Sequence, residues 1–434
     1  MIKARLQTNA ARMLGVYLEP TPRDSVRVGS LLSDSEGNVA FVVDEAYMDM
    51  GPSRPVLSSA WRAPGDETRT MERLTMVEDK RARRGFLPPW FANLLPEGAL
   101  REIVEREMGA GYHSDFDILA RLGRDLPGAV VVRDEGAARV ERIHAHVTEQ
   151  DNENTAEAFV KFSLAGVQLK FSMVDAGQRL TMPGRNESGR VIVKLPSKDY
   201  PGLPELEYAA MQLAHAVGIT VVPSRLAPVS QVQGIPKEWL AHEDHVLVVP
   251  RFDRTAEGRI HFEDFAQVFG AVGDQKYSMG NEETNLKLLS RFAEDGAGAI
   301  MEAVSRTTVN ILLGNGDAHL KNWALLYEDG LTPKLSPAYD IVPTIAFGDT
   351  TLALELGGTR SPTGVTFKKL GRAAHYVDMA PRAIENEVRR TVMAASETWP
   401  DLLVPLGFKR TLKRQLRERW NNLPIAIGVA NPFR

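Results

Sequence analysis

Apolar residues recur along this chain with two different periods, and the switches between them divide it into regions. Met13 to Leu18, Val26 to Leu32 and Val39 to Val43 are short apolar runs separated by turn signals such as Ser35-Glu-Gly-Asn38, and they predict strands of a small sheet. From residue 86 the pattern turns helical. Pro88 and Pro89 precede Trp90, Phe91, Leu94 and Leu95, and the two aromatics read as core or interface anchors, as does Trp399 beside Pro400. Leu100, Ile103, Val104 and Met108 then repeat at helical spacing, with Gly109 as the stop. A strand-like Ala129 to Val132 closes the region. From about 134 to 157 charged and amide residues accumulate without an apolar period, which predicts a linker.

The pattern resumes with strands at Val167 to Met173 and Val191 to Leu195 around a Gly- and Asn-containing loop. Pro204 and Glu205 open a helix carrying Leu206, Ala209, Ala210, Leu213 and Val217 on one face, which should pack on the sheet, and Gly218 ends it. Val246 to Val249 is a short strand stopped by Pro250. After about residue 262 the chain reads mainly helical, including Ile300 to Leu313 and Val388 to Leu416. No internal repeat or heptad array interrupts this order. The reading is an α+β chain with a β-rich N-terminal cap at 1–133, a small lobe at 158–250 and a larger helical lobe at 251–434.

Composition narrows the function classes. Over 434 residues, 43% apolar and 25% charged content is that of an ordinary globular protein, and a net charge of −4 gives no global basic field for nucleic acid or an anionic membrane. The absence of cysteine removes disulfides, thiolate metal sites and cysteine nucleophiles, and is compatible with a reducing compartment. The N-terminus has no secretion signal, and no run reaches the roughly 18 apolar residues of a membrane span. A soluble, cytoplasmic protein is expected.

The stretch Leu312 to Asn322 is the most informative. It places Asp317 five residues before Asn322 in a Gly-containing loop after a helix, and Asp340 follows. Phosphoryl transfer needs a carboxylate to orient the attacking hydroxyl, and an amide plus a carboxylate to hold magnesium against the phosphates. Two short strands, Trp323 to Tyr327 and one at Leu335, joined through Glu328-Asp-Gly330, would let Asn322 and Asp340 converge on one metal. The same loop read alone is a helix cap and a turn. Lys194, at the end of a strand, and Glu207, on the next helix, supply the phosphate-binding lysine and its partner that a kinase needs. Each in isolation is an ordinary solvated charge, whereas the order and spacing of all five favour phosphotransfer. The chain has neither G-x-G-x-x-G nor G-x-x-x-x-G-K-[ST]. In the place of such a loop stands Phe162 to Lys170, whose small residues would let backbone N–H groups approach phosphate while Lys170 adds charge. It also reads as a β-turn with an exposed serine.

Other charged features carry less. Lys409, Arg410, Lys413, Arg414, Arg417 and Arg419, and likewise Lys80, Arg81, Arg83 and Arg84, read as solvated faces. His144 and His146 lie in the polar linker, and His242 and His245 lack a helical metal-binding frame. His319 is expected to orient the Asp317 loop through a hydrogen bond.

Taken together, Ser163-Leu-Ala-Gly-Val-Gln168, Val191-Ile-Val-Lys-Leu-Pro196, Glu207-Tyr208, Arg251-Phe-Asp-Arg254, Gly316-Asp-Ala-His-Leu-Lys-Asn322 and Tyr339-Asp-Ile341 resemble the HipA family of toxin serine/threonine kinases. Leu14 to Tyr17, Arg27 to Leu31, Asn93 to Glu97 and Leu122 to Ala129 are similar to the cap that precedes its kinase core, so the resemblance spans nearly the whole chain. It implies a bacterial type II toxin–antitoxin kinase with a protein-kinase-like two-lobed fold, using ATP and Mg2+. By position, Asp317 would be the catalytic aspartate, Asn322 and Asp340 the magnesium ligands and Lys194 the ATP-phosphate lysine. Val248 and Val249 would form the interlobe hinge against adenine. Ser163, Ala165, Gly166, Val167, Gln168, Lys170, Glu207, His319 and Lys321 would complete the ATP site. Ser163 matches the family's autophosphorylated serine, where a phosphate adds about two negative charges and would expel the loop and silence the enzyme.

The resemblance also implies a HipB-like helix-turn-helix antitoxin, operator DNA bound mainly through that antitoxin, and a protein substrate typified by an aminoacyl-tRNA synthetase, with growth arrest and persistence as the outcome. A small-molecule or lipid phosphotransferase, and a non-catalytic co-repressor bound to the antitoxin, are the other readings.

Overall fold

The computed structural model describes residues 11–21, 23–138, 168–177, 179–183, 188–240 and 243–434. The N-terminal cap is built on an antiparallel sheet in the order β4-β3-β2-β1-β5, with β1 Ala11–Thr21, β2 Asp24–Ser33, β3 Val39–Val43, β4 Arg81–Ala82 and β5 Val130–Ala138. Leu14, Val16 and Leu18 alternate inward on β1, and Leu31, Phe41 and Val130 join them over the ring cluster of Trp61, Trp90 and Phe91. The aromatic anchors are therefore core residues, with Trp90 at 2% exposure.

One boundary moves. The expected linker from 134 is strand as far as Ala138, paired with β1 in register Gly15↔Arg133 and Leu14↔Asp134. Its polar residues have partners there: Glu135 accepts from the Tyr17 hydroxyl at 2.5 Å and pairs with Arg27 at 2.9 Å. The rest of that linker, with His144 and His146, lies outside the described residues.

The small lobe is a second sheet in the order β7-β6-β8-β10-β9, comprising β6 Lys170–Asp175, β7 Leu180–Thr181, β8 Val191–Lys194, β9 Arg225–Pro228 and β10 His245–Pro250. Its outer face carries Phe171, Met173, Val193, Val246 and Val248 as a core of their own. Against the other face packs the helix Leu203–Ala216, which starts at a left-handed Gly202 with Pro204 in its first turn, as its sequence indicates. A three-stranded sheet, β11 His261–Asp264, β12 Ala324–Tyr327 and β13 Lys334–Leu335, introduces the helical lobe. There the helix Gly296–Leu313 is buried on nearly every face from Ala303 onward, polar Ser305, Arg306, Thr308 and Asn310 included. Val388 to Leu416 is not one helix. It is the end of Pro381–Thr398 and the start of Arg410–Asn422, since Pro400 cannot donate to a continuing ladder and Gly407 takes a left-handed φ of 71°. Among the described residues no helix is long and apolar enough to cross a membrane.

Two polar staples fasten the cap to the other lobes. Glu263 on β11 is fully buried and accepts from the Ser59 amide at 2.7 Å, the Trp90 indole at 2.9 Å and the Tyr327 hydroxyl at 2.5 Å, so two of its three donors come from the cap. Asp253 accepts from the Gly128 amide at 2.8 Å and from Arg251 and Arg254, which in turn reach Asp125 and the Leu126 carbonyl. Gly128 has φ 67°, and a Cβ there would sit 2.8 Å from the Phe262 amide, so glycine is required. Two motifs far apart in sequence, Leu122 to Ala129 and Arg251 to Arg254, thus form one joint. Glu263→Ala would strand three buried donors and should lower unfolding free energy by about 3 kcal/mol; urea unfolding of the two chains checks this, and equal midpoints would contradict it.

Candidate active site

Lys194, the last residue of β8, stands opposite Lys170 on β6 and Leu247 on β10, so the two lysines share the inner face of the small-lobe sheet. The helix Leu203–Ala216 places Glu207 below that face, and Lys194 Nζ donates to Glu207 Oε1 and Asp340 Oδ1 at 2.6 Å each. Burial works against the ammonium, but Asp340 and then Glu207 hold its pKa above the ordinary lysine value. Burial also works against Asp340, where Lys194 and Lys170 outweigh it and hold the carboxyl far below the usual range. Glu207, 1% exposed, goes the other way: burial raises it to about 7 against the attraction of Lys194, with Asp340 adding repulsion. One ammonium between two carboxylates satisfies the more accessible one and leaves the deeper one strained. Lys170 is accessible at the mouth of the cleft, yet desolvation by the cleft walls, opposed by Asp340 and reinforced by Lys194, lowers its pKa.

The loop carrying Asp317 is set by its surroundings. The helix Gly296–Leu313 ends at Gly314 with φ 69°, where a Cβ would lie 2.8 Å from that of Ile345. Asn315 donates to Asn310 Oδ1 at 3.0 Å and accepts from the Asp317 amide at 3.0 Å, while the Gly316 amide donates to Thr344 Oγ1 at 2.7 Å. Asp317 Oδ1 accepts from the Tyr277 hydroxyl at 2.5 Å. Five residues on, Asn322 Nδ2 donates to the Asp340 backbone carbonyl at 3.3 Å, which brings the amide next to the residue that carries the second acid. Asp340 itself has φ 61°, a left-handed conformation uncommon outside glycine and typical of functional turns. An amide and a carboxylate are hard oxygen donors, and among the described residues no cluster of three or more His, Asp or Glu side chains offers a closed cage. A two-residue site of this kind fits Mg2+ that completes its shell with phosphate oxygens and water.

Several expected residues fall differently. Ser163, Ala165, Gly166 and Val167 lie outside the described residues. Gln168 Nε2 donates to the Leu195 carbonyl at 2.9 Å, so its side chain fastens the approach to β6. Val249 is on the Lys194 side of β10, whereas the Val248 side chain points into the outer core, leaving only its backbone toward the cleft side. His319 does not make the expected ring hydrogen bond. Its amide donates to the Asp317 carbonyl at 2.8 Å, but both ring nitrogens are buried without a hydrogen-bond partner, against the edge of Tyr277. Arg419 and Lys80 are not solvated. Arg419, 8% exposed, donates to the Ile311 carbonyl at 2.6 Å and so caps the helix leading to the loop, and Lys80, 1% exposed, lies 4.6 Å from the centre of the Trp61 ring.

Sequence reasoning missed Tyr277, Lys276 and Glu97. Glu97 of the cap accepts from Lys276 at 2.7 Å and from Lys321 at 2.8 Å, and although burial opposes it, the two ammoniums bring its carboxyl down to about 2. Glu97 lies in a quoted cap motif, but nothing local ties it to residues about 180 and 220 positions away.

The raised Glu207 yields a pH dependence. A carboxyl raised in the folded chain stabilises fully below its unfolded value and loses that contribution as pH rises through about 7. Between about pH 6 and about pH 8 the wild-type chain should lose about 1 kcal/mol relative to Glu207→Gln. Urea midpoints at the two pH values check this, and parallel curves would refute it.

The HipA-like C-terminal domain family matches residues 162–399 and the HipA N-terminal domain family matches 23–133. Y4dM of Sinorhizobium fredii, which carries a kinase name, is 37% identical over 381 residues, 86% of this chain and 88% of its own length. The serine/threonine-protein kinase toxin HipA of Shewanella oneidensis is 24% identical over 291 residues, 60% of this chain and 64% of that one. A chain of the solved complex of Shewanella oneidensis HipA, HipB and operator DNA is 18% identical and superposes with a TM-score of 0.68 over 95% of this chain and 96% of that one, so the two share a fold. With both its cap and its two-lobed core matched, the chain belongs to the HipA family.

Proposed function

We propose that the chain is a toxin-type protein serine/threonine kinase that uses ATP and Mg2+. The observation that carries this reading is the Lys194 ammonium, 2.6 Å from both Glu207 and Asp340, beside a loop that presents Asp317 and Asn322. Lys194 would exchange its Asp340 contact for the α- and β-phosphates while Glu207 keeps it in place, and Lys170 on the same sheet face adds a second positive group. Asn322 and Asp340 would hold magnesium, which when bound would supply charge neutralisation at the phosphates. Asp317, fixed by Tyr277 and its own loop, orients the substrate hydroxyl and takes its proton as the hydroxyl oxygen bonds to the γ-phosphorus and the bond to the β–γ bridging oxygen breaks, releasing ADP.

Ser163 is the proposed autophosphorylation site, and a translation protein such as an aminoacyl-tRNA synthetase the proposed substrate, both on the family resemblance. A HipB-like antitoxin as partner is supported by the likeness to a chain of the HipA–HipB–DNA complex. The cytoplasm is the proposed location.

The test is γ-labelled ATP with magnesium, wild type beside Asp317→Ala, after intact mass has established the starting phosphorylation state. Transfer should fall by about a hundredfold or more in Asp317→Ala, with the wild-type label on Ser163 and none there in Ser163→Ala. Equal labelling of wild type and Asp317→Ala, or no transfer by a chain that starts unphosphorylated, would overturn the kinase reading.

A further inference from the structure

We propose that Glu97 of the N-terminal cap is a positioning residue for the catalytic loop, an inference that rests on the kinase reading. Its two carboxylate oxygens each hold one flank of that loop. Oε1 accepts from Lys321, which lies between Asp317 and Asn322, and Oε2 accepts from Lys276, whose neighbour Tyr277 donates to Asp317. The carboxylate is itself placed from elsewhere: Asn93 in the same cap segment donates to the Ala271 carbonyl at 2.8 Å and the Pro89 carbonyl at 3.0 Å. The cap therefore sets where Lys321 and Lys276 sit, independently of nucleotide. A bridging anion at this point also gives the two ammoniums a common partner beside the loop. The catalytic loop is thus completed by a side chain from outside the two kinase lobes.

Glu97→Gln keeps the shape and removes the charge, and Glu97→Asp keeps the charge one methylene short. In the full chain, kcat should fall about ten- to a hundredfold in Glu97→Gln while KM for ATP stays level or drops, because the freed ammoniums still attract phosphate. Glu97→Asp should recover part of the loss. A general loosening would instead raise KM and spare the split. Hydrogen exchange of the nucleotide-free chain supplies a readout independent of activity: residues 317–322 and 276–277 should lose protection in Glu97→Gln, while the helix Pro381–Thr398 does not. Unchanged protection in the loop, or a rise in KM with kcat intact, would overturn the role of Glu97. A wild-type chain without transfer would count against the kinase reading alone, and the exchange comparison would still decide Glu97.

Discussion

A single ammonium shared by two carboxylates joins the parts of this molecule that matter most. Lys194 comes from the small-lobe sheet, Glu207 from the helix packed on it and Asp340 from the turn after β13, so one side chain ties three elements and two lobes. Taking three charged groups out of water is costly, and the triad persists because each Lys194 contact is 2.6 Å long. With Glu207 raised to about 7, the charge of this triad varies with pH beneath a sheet face that also carries Lys170, and Asp340 sits there in a left-handed backbone conformation. Such an arrangement is held together but not at rest. In the proposed kinase a polyanion entering the cleft would compete with Asp340 for Lys194, and loss of that contact would free the carboxylate to serve a cation.

The cap is fastened by the same kind of interaction. Glu263, Asp253 and Glu97 are carboxylates whose hydrogen bonds cross between cap and lobes. A hydrophobic interface alone tolerates sliding, whereas a buried acid with three fixed donors tolerates one arrangement. The two deeper acids set how cap and core meet. Glu97 lies at the cleft edge, so the precision gained at the interface is delivered to the catalytic loop.

Local pattern made the strands, the helix ends at Gly218 and Gly314 and the five-residue Asp317 to Asn322 spacing legible, because each depends on neighbours within a few residues. The Lys194–Glu207 pair was legible for a different reason: strand and helix adjoin in sequence, so few packings separate them. What sequence did not reveal depends on distant partners. Arg419 looks like one more charge on a basic helix until the Ile311 carbonyl, more than a hundred positions earlier, is seen to need a donor. Lys80 is buried because Trp61 offers a ring face and Asp79 a carboxylate. Asp134 and Glu135 read as linker because that strand end is polar, yet β1 supplies backbone pairing and Arg27 a counter-charge. The helix break after Thr398 was signalled by Pro400, but the helical period of the flanking residues masked it.

Asp317, the proposed base, stands among groups that are unable to take a proton from a substrate. His319 is two residues from Asp317 and is the usual choice for proton transfer near neutrality. Here burial, with the Lys276 ammonium adding repulsion, lowers its pKa to about 3, and its ring nitrogens face no partner that would stabilise a proton. A base that weak holds a proton poorly at any physiological pH. In the proposed kinase Asp340 would turn from Lys194 to the magnesium once phosphate is bound, and Glu207 is sealed beneath Lys194, so neither would meet a substrate hydroxyl. Asp317 remains: half-buried at the cleft, its Oδ1 set by Tyr277 and its amide by Asn315. Burying His319 as a neutral ring thus also serves the charge balance of the proposed kinase, since a third cation beside Lys276 and Lys321 would compete for the carboxylate proposed to accept the proton.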